Sequence, residues 1–333
     1  MHSNDFAPHS AVLSRRSCLQ MSLASGLLSA GLLPSAALAQ GETQDEVWLD
    51  AARDRSLPVL LRWPVGKPLG VMVYSHGLGG RRDGGDYWGK AWTQAGLLVA
   101  HVQHPGSDAP AMKGGFPALR KAMQPEQLMA RMQDMRFAIA EINRRKASGA
   151  ALWGAVPVDK MAVGGHSFGA RTTMLTAGWQ RNGNNGTDPQ PKAFVVMSPA
   201  LSNKNNLAQS RKEMASVTRP FLMCTGSLDG EIMGNGETPE SRRMVFDAIP
   251  AGKKALLWID VADHFTFAGN EKLIPSTFIV RREKATLDAE GLHHERVARI
   301  STAWLKEQLF GQAMGAATSQ AFGLGATDQF LRG

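Results

Sequence analysis

The feature that most constrains this chain is a five-residue run, Gly165-His166-Ser167-Phe168-Gly169, between the β-rich Met161-Ala162-Val163 and the helix-forming stretch Phe168–Trp179. A G-x-S-x-G run alone arises easily by chance. Set between a strand and a helix it describes one geometry, a strained turn that lifts the serine hydroxyl above a sheet edge. The glycines stand where side chains would clash in so tight a bend. A strand that runs directly into a helix also predicts parallel pairing, because the chain must cross back before its next strand begins.

The remaining apolar pattern agrees. Strand-length runs fall at Leu57–Arg62, Gly70–Ser75, Leu97–Gln103, Ala193–Met197, Pro220–Thr225 and Ala255–Asp260, with Pro64–Pro68 as a turn. Helical spacing marks Asp86–Gln94, Glu240–Ala248 and His293–Leu309. Pro125 opens a helix to about Arg145, along which Leu128, Met132, Met135, Ile139 and Ile142 recur on one face. Strands alternating with helices predict an α/β architecture, a mostly parallel central sheet with helices on both faces. The polar Arg181–Pro191 reads as a surface loop and the small-residue tail after Gly311 as peripheral. No composition break divides residues 40–333, so a single domain is expected there.

The first 39 residues read as an address. Ser14-Arg15-Arg16-Ser17-Cys18-Leu19-Gln20 precedes the mildly apolar Met21–Leu33, then Pro34 and Ala37-Leu38-Ala39. That is a positive segment, an apolar segment and a small-residue cleavage site. The paired arginines resemble a twin-arginine leader; a Sec signal that happens to contain Arg-Arg is the alternative. Either predicts export to the periplasm or beyond, with the export machinery as a partner through residues 1–39. No stable membrane insertion is expected once the leader is removed. Of the cysteines only Cys224 would remain, within Phe221-Leu222-Met223-Cys224, where it reads as an inert core residue.

The whole chain carries a formal net charge of +8, and losing Arg15, Arg16 and Asp5 leaves +7. The excess is spread out, without a dense Lys/Arg run or interleaved aromatics, so nucleic acid is not an expected partner.

The serine needs a base and an orienting acid, and these should follow in the order Ser, acid, His. After Pro220–Thr225 comes Gly226-Ser227-Leu228-Asp229-Gly230; after Ala255–Asp260 comes Val261-Ala262-Asp263-His264-Phe265. Each places a polar group at the carboxyl end of a strand, where the reactive groups of open parallel sheets gather. Ser167, Asp229 and His264 are therefore the candidate catalytic residues. Asp260 and Asp263 are rival acids but share the histidine's own strand end; His101, His104, His293 and His294 read as packing or surface residues, and His166 as part of the packed turn. Acyl chemistry also needs backbone N–H donors for an oxyanion. Ser75-His76-Gly77-Leu78-Gly79-Gly80 follows a strand and offers the N–H of Leu78, with that of Phe168 as the second donor. A phosphate loop is a poorer reading of these glycines, since no Walker lysine follows. Neither H-E-x-x-H nor paired cysteines occur, so no metal or cofactor is expected.

Taken together, Leu57-Pro58-Val59, the Ser75–Gly80 run, Gln103-His104-Pro105-Gly106-Ser107-Asp108, Gly165–Gly169, Asp229 and Asp263-His264-Phe265 resemble the bacterial predicted dienelactone hydrolases. That group is related to platelet-activating-factor acetylhydrolases and, more distantly, to cutinase-like polyesterases. The likeness spans most of residues 45–310. It implies the α/β-hydrolase fold and a serine carboxylic-ester hydrolase without a cofactor, acting on a small-molecule ester. Dienelactone hydrolases proper use a cysteine nucleophile where this chain has Ser167, so the resemblance carries the fold and not the substrate. His104–Asp108 either shapes the pocket rim or forms a structural turn. An amidase or peptidase with the same three residues, and a non-catalytic binding protein on this scaffold, are the competing readings. Short to medium acyl chains are expected, because Arg181–Pro191 is too polar for a lid and Phe265–Gly291 carries the apolar Phe265, Phe267, Leu273, Ile274, Phe278 and Ile279 suited to a pocket wall.

Overall fold

Central strands that are apolar along their whole length must be covered on both faces, and that requirement organises this chain. The computed structural model describes residues 41–150, 152–181, 183–202, 205–232, 236–269, 282–315 and 321–333. In chain order the strands are β1 (Thr43–Asp50), β2 (Arg55–Arg62), β3 (Gly70–Ser75), β4 (Leu97–Val102), β5 (Met161–His166), β6 (Gln180–Arg181), β7 (Asn184–Asn185), β8 (Ala193–Met197), β9 (Phe221–Leu228), β10 (Lys254–Asp263) and β11 (Gln329–Arg332). The α-helices are α1 (Asp86–Gln94), α2 (Gly115–Ala122), α3 (Pro125–Ala147), α4 (Phe168–Ala177), α5 (Leu207–Met214), α6 (Pro239–Ala248) and α7 (Lys284–Phe310).

Among the described residues nine strands form one sheet in the order β1-β2-β4-β3-β5-β8-β9-β10-β11. The run from β4 to β10 is parallel throughout. Antiparallel pairs close its ends, β1 on β2 and β2 on β4 at one side, β11 on β10 at the other. The structure is thus α/β with a large, mostly parallel sheet, as the alternation of apolar runs predicts. β3, β4 and β5 are buried at every position. On one face Leu128, Met132, Met135 and Ile139 of α3 pack with Met174 and Leu175 of α4 and Val245 of α6. On the other, Trp88 and Trp92 of α1 meet Val297, Ile300 and Trp304 of α7, and the Trp92 indole donates to Ser301 Oγ at 3.0 Å.

Several boundaries differ from expectation, each for a tertiary reason. β9 and β10 run beyond Thr225 and Asp260 because they pair with each other up to Leu228 and Asp263. A bulge interrupts β10 at Val261, whose φ is 50°; its N–H donates to Ser227 Oγ at 2.8 Å. α7 begins at Lys284, so residues assigned to the Phe265–Gly291 connection are helical. The tail is not peripheral: Gln329–Arg332 adds an edge strand to β10, and Asp328 pairs with Arg296 at 3.0 Å. Arg181–Pro191 contains the short β6–β7 hairpin, and the Arg219 guanidinium anchors the loop at the Asp188 and Pro191 carbonyls. β1, α2, α5 and β11 went unassigned in the sequence. Residues 1–39, read as a leader and including Cys18, and Leu273, Ile274, Phe278 and Ile279 lie outside the described residues.

Candidate active site

Three polar side chains meet above the carboxyl ends of β5, β9 and β10. Ser167 holds the turn between β5 and α4 at φ 55° and ψ −112°, a conformation an L-residue adopts only under constraint. The flanking glycines explain how the turn closes. A Cβ on Gly169 would lie 1.9 Å from the Ser75 carbonyl oxygen, and one on Gly165 2.4 Å from the Gly169 oxygen. The Ser167 N–H donates to the Met197 carbonyl at 2.9 Å, which ties the turn to the neighbouring β8.

His264 follows β10 and places Nε2 2.8 Å from Ser167 Oγ. Its Nδ1 lies 2.9 Å from Asp229 Oδ1, and Asp229 Oδ2 accepts from Thr225 Oγ1 at 2.7 Å. Such an array lets the imidazole take the serine proton while the carboxylate holds the ring and balances its charge. The rival acids are engaged elsewhere. Asp263 pairs with Arg282 at 2.7 Å, and Asp260 accepts from Ser227 Oγ at 2.6 Å.

Arg242 was not anticipated. Fully buried, it lies 2.7 Å from Asp229 Oδ1 and 3.0 Å from Glu237, and it also donates to the carbonyls of Ser198 and Gly230. Burial alone would raise the Asp229 carboxyl; the Arg242 guanidinium and His264 outweigh it and hold the group at about 2. A signal existed: Arg242 falls three residues before Val245 on the inward stripe of α6.

Leu78 and Phe168 both line the pocket that opens above Ser167. Phe168 begins α4, so its N–H has no intrahelical acceptor. Among the described residues neither amide is given to a backbone carbonyl. The pocket has a volume of about 120 Å³ and apolar walls from Leu78, Met123, Phe168, Ala200, Ile232 and Phe265. Arg171 and Glu237, paired at 2.9 Å, supply a polar side. Phe267, expected in a pocket wall, instead packs in the apolar layer beside α1 and α7. His104–Asp108 is a structural turn, absent from the lining. Cys224 is fully buried, and burial raises its thiol. Among the described residues no cluster of His, Cys, Asp or Glu is placed to hold a metal ion.

His166 donates from Nε2 to the His264 carbonyl at 3.0 Å, a packing role. Burial, reinforced by the nearby imidazole of His264, pushes it well below the ordinary histidine value. Burial likewise lowers His76 far below that value, His101 to about 3 and His104 to about 4. These rings fold neutral, whereas the unfolded chain protonates them from about 6.5 downward. Stability is therefore full above that pH and is lost as pH falls toward the folded values, by about 1.4 kcal/mol per pH unit for each ring. Urea midpoints should stay level from pH 7.5 to about 6.5 and fall steadily from there to pH 4.5; a profile flat to pH 4.5 would mean that the rings are not buried as neutral bases.

Fold and site together define an α/β protein with a hydrogen-bonded Ser–His–Asp array at the carboxyl edge of a parallel sheet. No protein-family model matches the chain, and no curated protein matches it either.

Proposed function

We propose that this chain is a serine hydrolase of the α/β-hydrolase type that cleaves carboxylic esters. The observation that carries the reading is the unbroken line from Ser167 Oγ through His264 to Asp229, at 2.8 and 2.9 Å, beneath an open pocket. The strand order, with an antiparallel β2 and parallel strands thereafter, supports the same reading. So does the resemblance to predicted dienelactone hydrolases and platelet-activating-factor acetylhydrolases.

Ser167 Oγ attacks the acyl carbonyl as its proton passes to His264 Nε2. The N–H groups of Leu78 and Phe168 receive the oxyanion. Collapse breaks the acyl C–O bond, and the departing alcohol takes the proton from His264. Water, giving a proton to the same nitrogen, then attacks the acyl carbonyl; the acyl–Oγ bond breaks as His264 returns that proton to Ser167 Oγ, and the acid is released. Asp229 holds the ring throughout. At roughly 10–15 Å³ for each water-sized site, the pocket accommodates a short to medium ester. The leader supports action outside the cytoplasm, in the periplasm or beyond. Among the described residues no helix is long and apolar enough to cross a membrane.

The test uses purified residues 40–333 with p-nitrophenyl esters from acetate to palmitate, the matching anilides, and a phosphonate that labels activated serines. Esters of short to medium chain should turn over fastest, with the label on Ser167. Anilides hydrolysed faster than esters would favour an amidase. An inert, unlabelled protein would leave the binding-protein reading. A palmitate optimum with a rate jump at the micelle concentration would reveal a lid.

A further inference from the structure

A second Ser–His–Asp array lies beneath the first, sealed from solvent. Ser75 Oγ is 2.9 Å from His104 Nε2, and His104 Nδ1 is 3.0 Å from Asp134 Oδ2. Ser75, His104, Asp134 and Arg131 have no solvent exposure, and none of them lines the pocket. No substrate reaches Ser75, so the array does not perform acyl chemistry of its own.

Its hydrogen-bond direction is fixed by its two ends. A guanidinium only donates and a carboxylate only accepts. Arg131 Nη2 donates to Ser75 Oγ at 3.0 Å, the Ser75 hydroxyl donates to His104 Nε2, and His104 Nδ1–H donates to Asp134. Arg55 donates to the other oxygen of Asp134 at 2.7 Å. The residues around Leu78 are tied into the same array. The His76 carbonyl accepts from Arg131 Nη2. The His76 ring accepts the His104 N–H at Nε2 and donates from Nδ1 to the Gly77 carbonyl. The Gly79 N–H donates to the Ser107 carbonyl at 2.9 Å, and Ser107 Oγ accepts from Arg131 Nη1 at 2.9 Å.

Arg131 reaches the other donor as well. Its Nε donates to Thr172 Oγ1 on α4 at 3.2 Å, and its guanidinium lies 4.7 Å from the centre of the Phe168 ring. Among the described residues it makes no ion pair; its acceptors are hydroxyls and one carbonyl. A buried cation that touches no carboxylate, with Asp134 and Asp108 acting on it only through space, is expensive to keep for stability alone.

We propose that Arg131, with the sealed Ser75–His104–Asp134 array, is a positioning device that holds the Leu78 and Phe168 amides in register as one oxyanion hole. This rests on the hydrolase reading of Ser167. Both halves of the hole hang on one side chain, so loosening it displaces the donors without touching Ser167 or His264.

The experiment compares wild type with Ser75→Ala, a small deletion, and Arg131→Lys, which keeps the charge and loses the fork. Active sites are titrated with the phosphonate, and kcat per titrated site, KM and the Ki of a boronic acid are measured. Amide exchange is followed over residues 75–81. Misplacement by about 1 Å costs up to 10²-fold, so kcat per site should fall about tenfold in Ser75→Ala and about 10²-fold in Arg131→Lys. KM should stay within about twofold, the boronate Ki should rise with the loss in kcat, and exchange over 75–81 should quicken. A purely structural role would lower melting temperature and the titratable fraction while leaving kcat per site unchanged, and that result overturns the proposal. Unchanged exchange in both variants overturns it too. A wild type inert to esters and phosphonate defeats the hydrolase reading, and with it the catalytic purpose assigned here; quickened exchange would then leave only a loop anchor.

Discussion

Ser167→Ala is expected to lower ester kcat by about 10⁴–10⁶, leaving only what the oxyanion donors and binding supply. Removing Oγ deprives His264 Nε2 of its partner at 2.8 Å and the pocket of its activated hydroxyl. Ser198, the other serine in the lining, has no imidazole bound to it and cannot take over. The fold should survive. Alanine at φ 55° is no more strained than serine, and the N–H bond to Met197 remains. Circular dichroism and kcat measured on the same preparation check both halves of this expectation. Residual turnover above about a tenth of wild type would move the nucleophile elsewhere.

Asp229→Asn should cost about 10⁴ in kcat, because an amide facing Nδ1 favours the wrong tautomer of the ring. It should also destabilise the fold. Asp229 Oδ1 receives both His264 and Arg242, and breaking a buried pair by removing one charge costs about 3–5 kcal/mol. Glu237, 3.0 Å from Arg242, moderates that loss. Asp260→Asn and Asp263→Asn should each change kcat by less than about tenfold, since those carboxylates serve Ser227 and Arg282. Steady-state kinetics on the three variants, with melting temperatures alongside, decide the ranking. If Asp263→Asn were the most damaging, the acid would belong to the histidine's own loop.

The candidate residues were readable because each is announced locally. Ser167 sits in a pentapeptide whose glycines mark a close approach, and Asp229 and His264 each follow an apolar strand by a few residues. What escaped the sequence is what depends on a partner remote in the chain. Arg131 and Asp134 lie within the α3 stripe that runs from Leu128 to Met135, and a stripe of that kind is read as apolar packing. Only their neighbours, Ser75 and His104, turn two charges into a hydrogen-bond network. The bulge at Val261 has no signature of its own, since nothing in Asp260-Val261-Ala262 demands a positive φ; the hydroxyl of Ser227, 34 positions earlier, provides for it.

The alternation of apolar runs, the G-x-S-x-G turn and the order of serine, acid and histidine were determined by the sequence alone. Periodicity and turn chemistry act over a few residues, so they are written in neighbouring letters. Strand order, the edge strand from the tail, the neutral state of the buried histidines and the Arg242 clamp on Asp229 were decided only by the tertiary structure. Each depends on which surfaces meet across long stretches of chain, and on the loss of water that makes an unpaired charge costly there.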